Sequence, residues 1–345
     1  MRTDRIVHVI HCHAEGEVGD VVVGGVKPPP GASLWEQSRF IATDGSLRDF
    51  LLNEPRGGVF RHVNLLVPPI DPGADAGFII MEPEDTPPMS GSNSLCVAAT
   101  VVHTGLVSAT DPLTTVVLEA PAGIIRVNIE TNNGDIGALS LTNVPSFVER
   151  RDEFLSVPGI GEVRVDTAFG GDSFVIAQAA DVGVDITPDN AAEVARIGRA
   201  LCDAANDQWR FVHPDMPDWD HFSFAYLVGE LEESGGVMTS RNACAINPGK
   251  VDRSPTGTGC SALMALLHER GDLGVGQLYR AESIIGSTFD CTIVDTTEVA
   301  GRSAVIPQIS GRAWVYGMTQ YYRDPQDPWP GGYRLTDTWP RLRDL

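Results

Sequence analysis

The stretch "SLCVAATVVHTGL" (94–106) is apolar on nearly every helical face, and "CSALMALLHERG" (260–271) repeats the type later in the chain. A helix that is apolar all round must be buried, so each half of the chain needs a layer of other elements wrapped around its own helix. Both runs close on glycine and follow a hydroxyl-Gly-hydroxyl triplet: Ser90-Gly91-Ser92 in "MSGSNSLC" (89–96) and Thr256-Gly257-Thr258 in "TGTGCSA" (256–262). This repetition reads as an internal duplication and predicts a two-lobed α/β (α+β) protein with related halves.

The flanking pattern supplies the wrapping. "RIVHVIHCH" (5–13), "VGDVVVGGV" (18–26), "RHVNLLVPPI" (61–70) and "GFIIMEP" (77–83) are β-branched runs broken by Gly and Pro. Residues 33–55 space their apolar side chains as a helix that ends against Pro55. A hairpin is expected over 114–130, turning at Pro121-Ala122-Gly123. The polar "TNNGD" (131–135) is the expected boundary, beyond which strands near 137–142, 163–178, 222–229, 235–239 and 282–295 accompany a helix over 189–207. A chain of 345 residues has length for two cores. The first lobe is therefore expected at 1–131 and the second at 132–315, with the aromatic, Pro-rich tail 316–345 returning to the first.

Charge and cysteine usage narrow the function classes. A net charge of −21 with no Lys/Arg stripe opposes nucleic-acid binding. The N-terminus "MRTDRIVHVIHCHAEGE" has no signal-peptide pattern and no apolar run is long enough to span a bilayer, so a cytoplasmic protein without membrane attachment is expected. The six cysteines lie far apart with no CxxC pair, as reduced thiols do. Neither a Walker loop nor a GxGxxG in its proper context occurs, and no cofactor is expected.

The two triplets are the candidate chemistry. Small residues and backbone N–H groups at a helix N-terminus favour an anion, and glycine at 91, 257 and 259 permits close backbone approach. Two such ends facing each other would clamp one carboxylate. The competing reading is that Ser92, Ser94 and Thr258 merely cap buried helices. "HCHAEGE" (11–17) invites a metal reading because His11 and His13 share a strand face with Glu15 and Glu17 in phase, but no HExxH-like helix motif completes a ligand set, and no metal is expected.

"MSGSNSLC" followed by "DRSPTGTGCSA" (252–262) resembles the paired signature of the proline racemase superfamily, with supporting matches at "HCHAEGE", "AFGGDSF" (168–174) and "GSTFDC" (286–291). The resemblance implies a two-lobed diaminopimelate-epimerase-like fold with pseudo-symmetric halves, each a buried central helix wrapped by sheet, and an active site in the cleft between lobes. It allows a homodimer. Racemases and epimerases of that family place Cys immediately before Gly in both loops, where this chain has Ser90 and Thr256. Cys96 and Cys260 lie further on, inside the helices. The dehydratase branch resembles this chain in its second-loop Thr. What the resemblance implies is therefore a lyase, a cofactor-independent trans-3-hydroxy-L-proline dehydratase forming Δ1-pyrroline-2-carboxylate, with Ser90 as α-proton acceptor and Thr256 opposite. The amides of Gly91, Ser92, Gly257 and Thr258 would bind the substrate carboxylate and Asp252 the ring nitrogen. Ser92 stands where many relatives have His. The alternatives are a 4-hydroxyproline 2-epimerase and a non-catalytic imino-acid-binding protein. A serine hydroxyl needs an activating neighbour; Glu84, Asp85 and the cluster His11, His13, Glu15 and Glu17 are the candidates.

Overall fold

A computed structural model describes residues 3 and 5–340 of the chain. Residues 1, 2 and 4 of the expected first lobe and 341–345 of the expected returning tail lie outside the described residues. Two compact units are present, one formed by the described residues up to Leu141 with Gly311–Pro340 and the other by Thr142–Ser310.

In the first unit the strand Arg5–Ala14 pairs antiparallel with Glu17–Gly24 on one side and with Ala313–Arg323 on the other. Glu17–Gly24 runs parallel to Arg61–Val67, which pairs antiparallel with Ala76–Met81; this in turn meets Leu113–Ala120 in parallel, and a hairpin to Gly123–Asn132 follows. Strand alternation sends neighbouring residues to opposite faces. Val63 and Leu65 join the cluster of Leu34, Ile41, Phe50 and Leu51 from the helices Leu34–Thr43 and Ser46–Leu52. Asn64, between them in sequence, points instead at the helix Gly91–His103. That helix is buried from Gly91 to Val102, as its all-round apolar character requires.

The second unit repeats the plan. Gly161–Phe169 and Ser173–Gln178 form an antiparallel pair, and Phe224–Val228 lies parallel to the latter after the helix Ala191–Gln208. Val237–Ile246 then pairs antiparallel, the central helix Gly257–Arg270 follows, and Leu278–Glu282 returns parallel before the antiparallel Thr288–Val299. The same succession of antiparallel pair, helix crossover, antiparallel pair and central-helix crossover is what each half required to bury its apolar helix. Arg302–Gly311 pairs with both Thr288–Val299 and Ser146–Val157, and Ser146–Val157 pairs with Gly161–Phe169, so this sheet closes on itself. Ala191–Gln208 packs its Gly198 so tightly that an added Cβ would overlap the Ala245 side chain.

Three expectations are corrected. The helix expected over 33–55 is two helices, because Asp44 leaves the helical region (φ −94, ψ 86) and its carboxylate caps Ser46 N at 3.1 Å. "TNNGD" is a turn rather than a division between units: Asn133 and Gly134 both hold positive φ (51 and 87), the conformation of tight hairpin turns, and the units divide later, after Leu141. Both central helices start earlier than their apolar runs, at Gly91 and Gly257, so each hydroxyl-Gly-hydroxyl triplet is the helix cap and first turn rather than a preceding loop. No helix among the described residues is long and apolar enough to cross a membrane.

Candidate active site

Ser90 is the N-cap of the first central helix, in extended conformation (φ −148, ψ 128), and is half-buried where Met89 before it and the helix after it are buried. Its Oγ accepts from the carboxamide Nδ2 of Asn93 at 2.9 Å and more weakly from Asn93 N at 3.4 Å. Asn93 Oδ1 accepts from Asn64 Nδ2 at 2.7 Å, and Asn64 Nδ2 also donates to the backbone carbonyl of Asp20 at 3.2 Å. Ser94 Oγ donates back to the Ser90 carbonyl. The amides of Gly91 and Ser92, first in the helix, stand outside the intrahelical ladder at its positive end.

In the second unit Asp252, Thr256, Gly257 and Thr258 come together. Asp252 is buried; its Oδ1 accepts from Ser254 N and its Oδ2 from the Thr256 hydroxyl, both at 2.8 Å. Thr256 N donates to Ser254 Oγ at 3.1 Å. These bonds hold Thr256 at φ 64, a left-handed conformation that a β-branched residue adopts only under constraint. Strain of this kind, about 1–3 kcal/mol, concentrates at functional sites and switch regions. Gly257 and Thr258 open the helix Gly257–Arg270 as Gly91 and Ser92 open theirs.

Other expectations change. The caps are Ser90 and Thr256, not Ser92, Ser94 or Thr258, and Thr256 makes no side-chain cap bond. Gly259 serves packing: a Cβ there would sit 2.6 Å from the Tyr226 ring, whose hydroxyl donates to the Pro255 carbonyl. Glu84 pairs with Arg334, and Asp85 accepts from Thr86 N. His11 lies between Asp20 and Thr319, His13 accepts from Gly16 N, and Glu15 accepts from Arg312 N. No group of His, Cys, Asp and Glu among the described residues is arranged to hold a metal ion. Of the candidate activators, His11 reaches the Ser90 network through Asp20, and Glu17 reaches it through His62. Glu17 lies 3.5 Å from His62 Nε2, Glu82 lies 3.6 Å from His62 Nδ1, and that Nδ1 is 3.2 Å from Asn93 Nδ2. Asn93 and Asn64 were not singled out from sequence; the local signal was the Ser-x-x-Asn spacing, which puts an amide at the third helical position above a cap.

Cys96 and Cys260 are buried. Burial, and then the adjacent Cys12 thiol, push the Cys96 thiol well up, which leaves it protonated and unable to act as a base. Cys260 Sγ donates to the Pro255 carbonyl.

The proline racemase family model matches residues 9–334. The chain belongs to the proline racemase family. A hydroxyproline epimerase from Agrobacterium vitis, solved with bound trans-4-hydroxy-L-proline, is 38% identical, with a TM-score of 0.95 over 100% of this chain and 99% of that one. A probable proline racemase from Agrobacterium radiobacter K84, solved with bound carbonate, is also 38% identical, with a TM-score of 0.93 over 98% and 100%. A PhzF-family phenazine biosynthesis protein of Bacillus anthracis shares the fold alone, at 14% identity and a TM-score of 0.57 over 92% and 99%. The fold is thus the diaminopimelate-epimerase-like one, and this member of the proline racemase family carries hydroxyls, Ser90 and Thr256, before its two loop glycines.

Proposed function

We propose that this chain dehydrates trans-3-hydroxy-L-proline to Δ1-pyrroline-2-carboxylate without a cofactor. The observation that carries this reading is the Ser90/Thr256 pair, with both nearby thiols buried inside their helices. Racemisation by two opposed thiols needs an acid and a base on both faces of Cα; dehydration needs one proton removed and one hydroxyl lost. In this reading the two loops serve one substrate. Ser90 takes the α-proton. The amides of Gly91, Ser92, Gly257 and Thr258 hold the carboxylate, where enolate-like charge develops and fixed donors help most. Asp252 holds the ring nitrogen as well as accepting from the Thr256 hydroxyl, and Thr256 Oγ1, whose proton points at Asp252 Oδ2, accepts from a water on the face opposite Ser90. The enamine formed first tautomerises to the imine.

The relationship to a hydroxyproline epimerase supports a second reading, 4-hydroxyproline 2-epimerisation. Incubation of the purified, metal-free protein with trans-3-hydroxy-L-proline, cis-4-hydroxy-D-proline, trans-4-hydroxy-L-proline and L-proline separates the two by mass spectrometry and chiral chromatography. Water loss from the first compound alone is the expected result. Epimerisation of a 4-hydroxyproline with no dehydration sinks the proposal, and binding without turnover points to an imino-acid-binding protein.

Asp252→Ala is expected to raise KM for the 3-hydroxyproline about tenfold or more, the loss of a hydrogen bond to a charged group. An unchanged KM in steady-state kinetics removes Asp252 from substrate binding.

A further inference from the structure

The polarity of the hydrogen bonds beneath Ser90 is fixed from a single backbone carbonyl. Asp20 O can only accept, so the amide of Asn64 turns its Nδ2 toward it and donates with the same nitrogen to Asn93 Oδ1. Asn93 Oδ1 is thereby the acceptor end, and its Nδ2 faces Ser90 Oγ as a donor at 2.9 Å. A hydroxyl that receives a proton on that side directs its own proton elsewhere. Ser92 Oγ, 3.5 Å away, lies at the limit of hydrogen-bond range and does not retain it. The Thr256 hydroxyl proton, for its part, is committed to Asp252 Oδ2.

Resting on the dehydratase reading, we infer that Asn93, locked as a donor, makes Ser90 a one-residue proton relay for a same-face elimination. In trans-3-hydroxy-L-proline the carboxylate and the hydroxyl lie on opposite ring faces, so the α-hydrogen and the 3-hydroxyl share a face. One serine hydroxyl on that face serves both. The Cα–H bond breaks and its proton goes to Ser90 Oγ; the electron pair forms the Cα–C3 double bond. The C3–O bond breaks with its pair on the departing oxygen, which takes the proton Ser90 held before. Water leaves and Ser90 ends as the hydroxyl it began as, so no resting alkoxide is required. Asn93 is a positioning residue here: it touches Ser90 and aims its proton.

Asn93→Asp keeps the shape and reverses the bond, because a carboxylate accepts and draws the Ser90 proton inward. The variant is expected to lose about 10²-fold in kcat with KM little changed, the scale on which removing one oriented donor acts. Once protonated, the introduced carboxyl becomes a donor again, so the variant's kcat is expected to recover as pH falls, where the wild type shows no such rise. The titratable groups around this position are His62 at 3.2 Å, Glu17 and Glu82 beyond it, Cys96 on the same helix, and Cys12 and Asp20 on the two strands packed against it. All are present in the wild type as well, so a rise confined to the variant belongs to the substituted position. The wild-type enzyme supplies the second arm: it should dehydrate trans- but not cis-3-hydroxy-L-proline, whose hydroxyl lies on the face away from the α-hydrogen. Equal rates on both isomers overturn the relay, as does an Asn93→Asp variant with wild-type kcat or with no acid-side recovery, while the dehydratase reading stands in either case. If neither isomer loses water, the dehydratase reading itself falls and takes the relay with it. Should Asn93→Asp fail to fold, as judged by circular dichroism, the isomer comparison decides alone.

Discussion

Ser90→Ala is expected to lower the proposed dehydration of trans-3-hydroxy-L-proline by about 10²–10⁴-fold, the range over which positioned acid–base groups act, with KM nearly unchanged. In the proposed relay this hydroxyl both receives and returns a proton, and the neighbouring thiol that would be the chemical substitute, Cys96, is buried and held protonated. Stability should respond far less. Ser90 caps its helix through a 3.4 Å bond to Asn93 N, and losing a cap costs about 1 kcal/mol. The helix stays anchored by its burial from Gly91 to Val102. Thermal unfolding followed beside steady-state kinetics separates the two effects; a variant that keeps more than about a tenth of the wild-type rate removes Ser90 from the acid–base role.

Gly170→Ala is the substitution expected to cost most in stability, about 3 kcal/mol, the upper end for overpacking a tight contact. A Cβ at this position would overlap the Thr258 carbonyl oxygen and lie 2.5 Å from Ala262 N. Both obstacles are backbone of the second central helix, which cannot swing aside as a side chain does. The Gly170 carbonyl also accepts from Asn143 Nδ2, which donates in turn to Ser261 Oγ on the same helix. Relief of the overlap must therefore push the first turn of Gly257–Arg270 and the Thr258 amide with it. Denaturant unfolding of the variant should show a lowered midpoint, and calorimetric titration with the 3-hydroxyproline a weakened affinity. A midpoint equal to wild type means the strand end yields instead of the helix.

Those two residues also mark where sequence reading reaches and where it stops. Ser90 was legible because a hydroxyl-Gly-hydroxyl triplet before an apolar run is a local pattern, and its second occurrence at Thr256 tied the halves together. The burial of both central helices followed from their composition, and the Pro121-Ala122-Gly123 hairpin from its turn residues; the structure has Ala120 paired with Gly123. Gly170 stood within a recognised motif, yet its purpose lies in a helix that begins at Gly257, and no local pattern carries that distance. The same holds for Asn64 and Asn93, a strand residue and a helix residue whose amides meet only after the sheet forms. The helices begin three residues before their apolar runs because apolar content marks where a helix is buried, whereas Gly91 and Gly257 enter the helix through their backbone. Thr256 at φ 64 was not readable at all, since a β-branched residue carries no preference for that conformation and is held there by Asp252 and Ser254.

The pairing of Arg5–Ala14 with Ala313–Arg323 has a consequence for how the molecule is made. A ribosome delivers the chain from its amino end, so Arg5–Ala14 emerges early and gains Glu17–Gly24 as a neighbour, while its other edge waits. Every strand of the closed sheet in the second unit is available once Arg302–Gly311 has left the exit tunnel, before Ala313–Arg323 follows. An open strand edge is a template for pairing with other chains. During translation Arg5–Ala14 thus keeps an adhesive edge open until Ala313–Arg323 emerges, and the first unit closes only after the sheet of the second has been delivered.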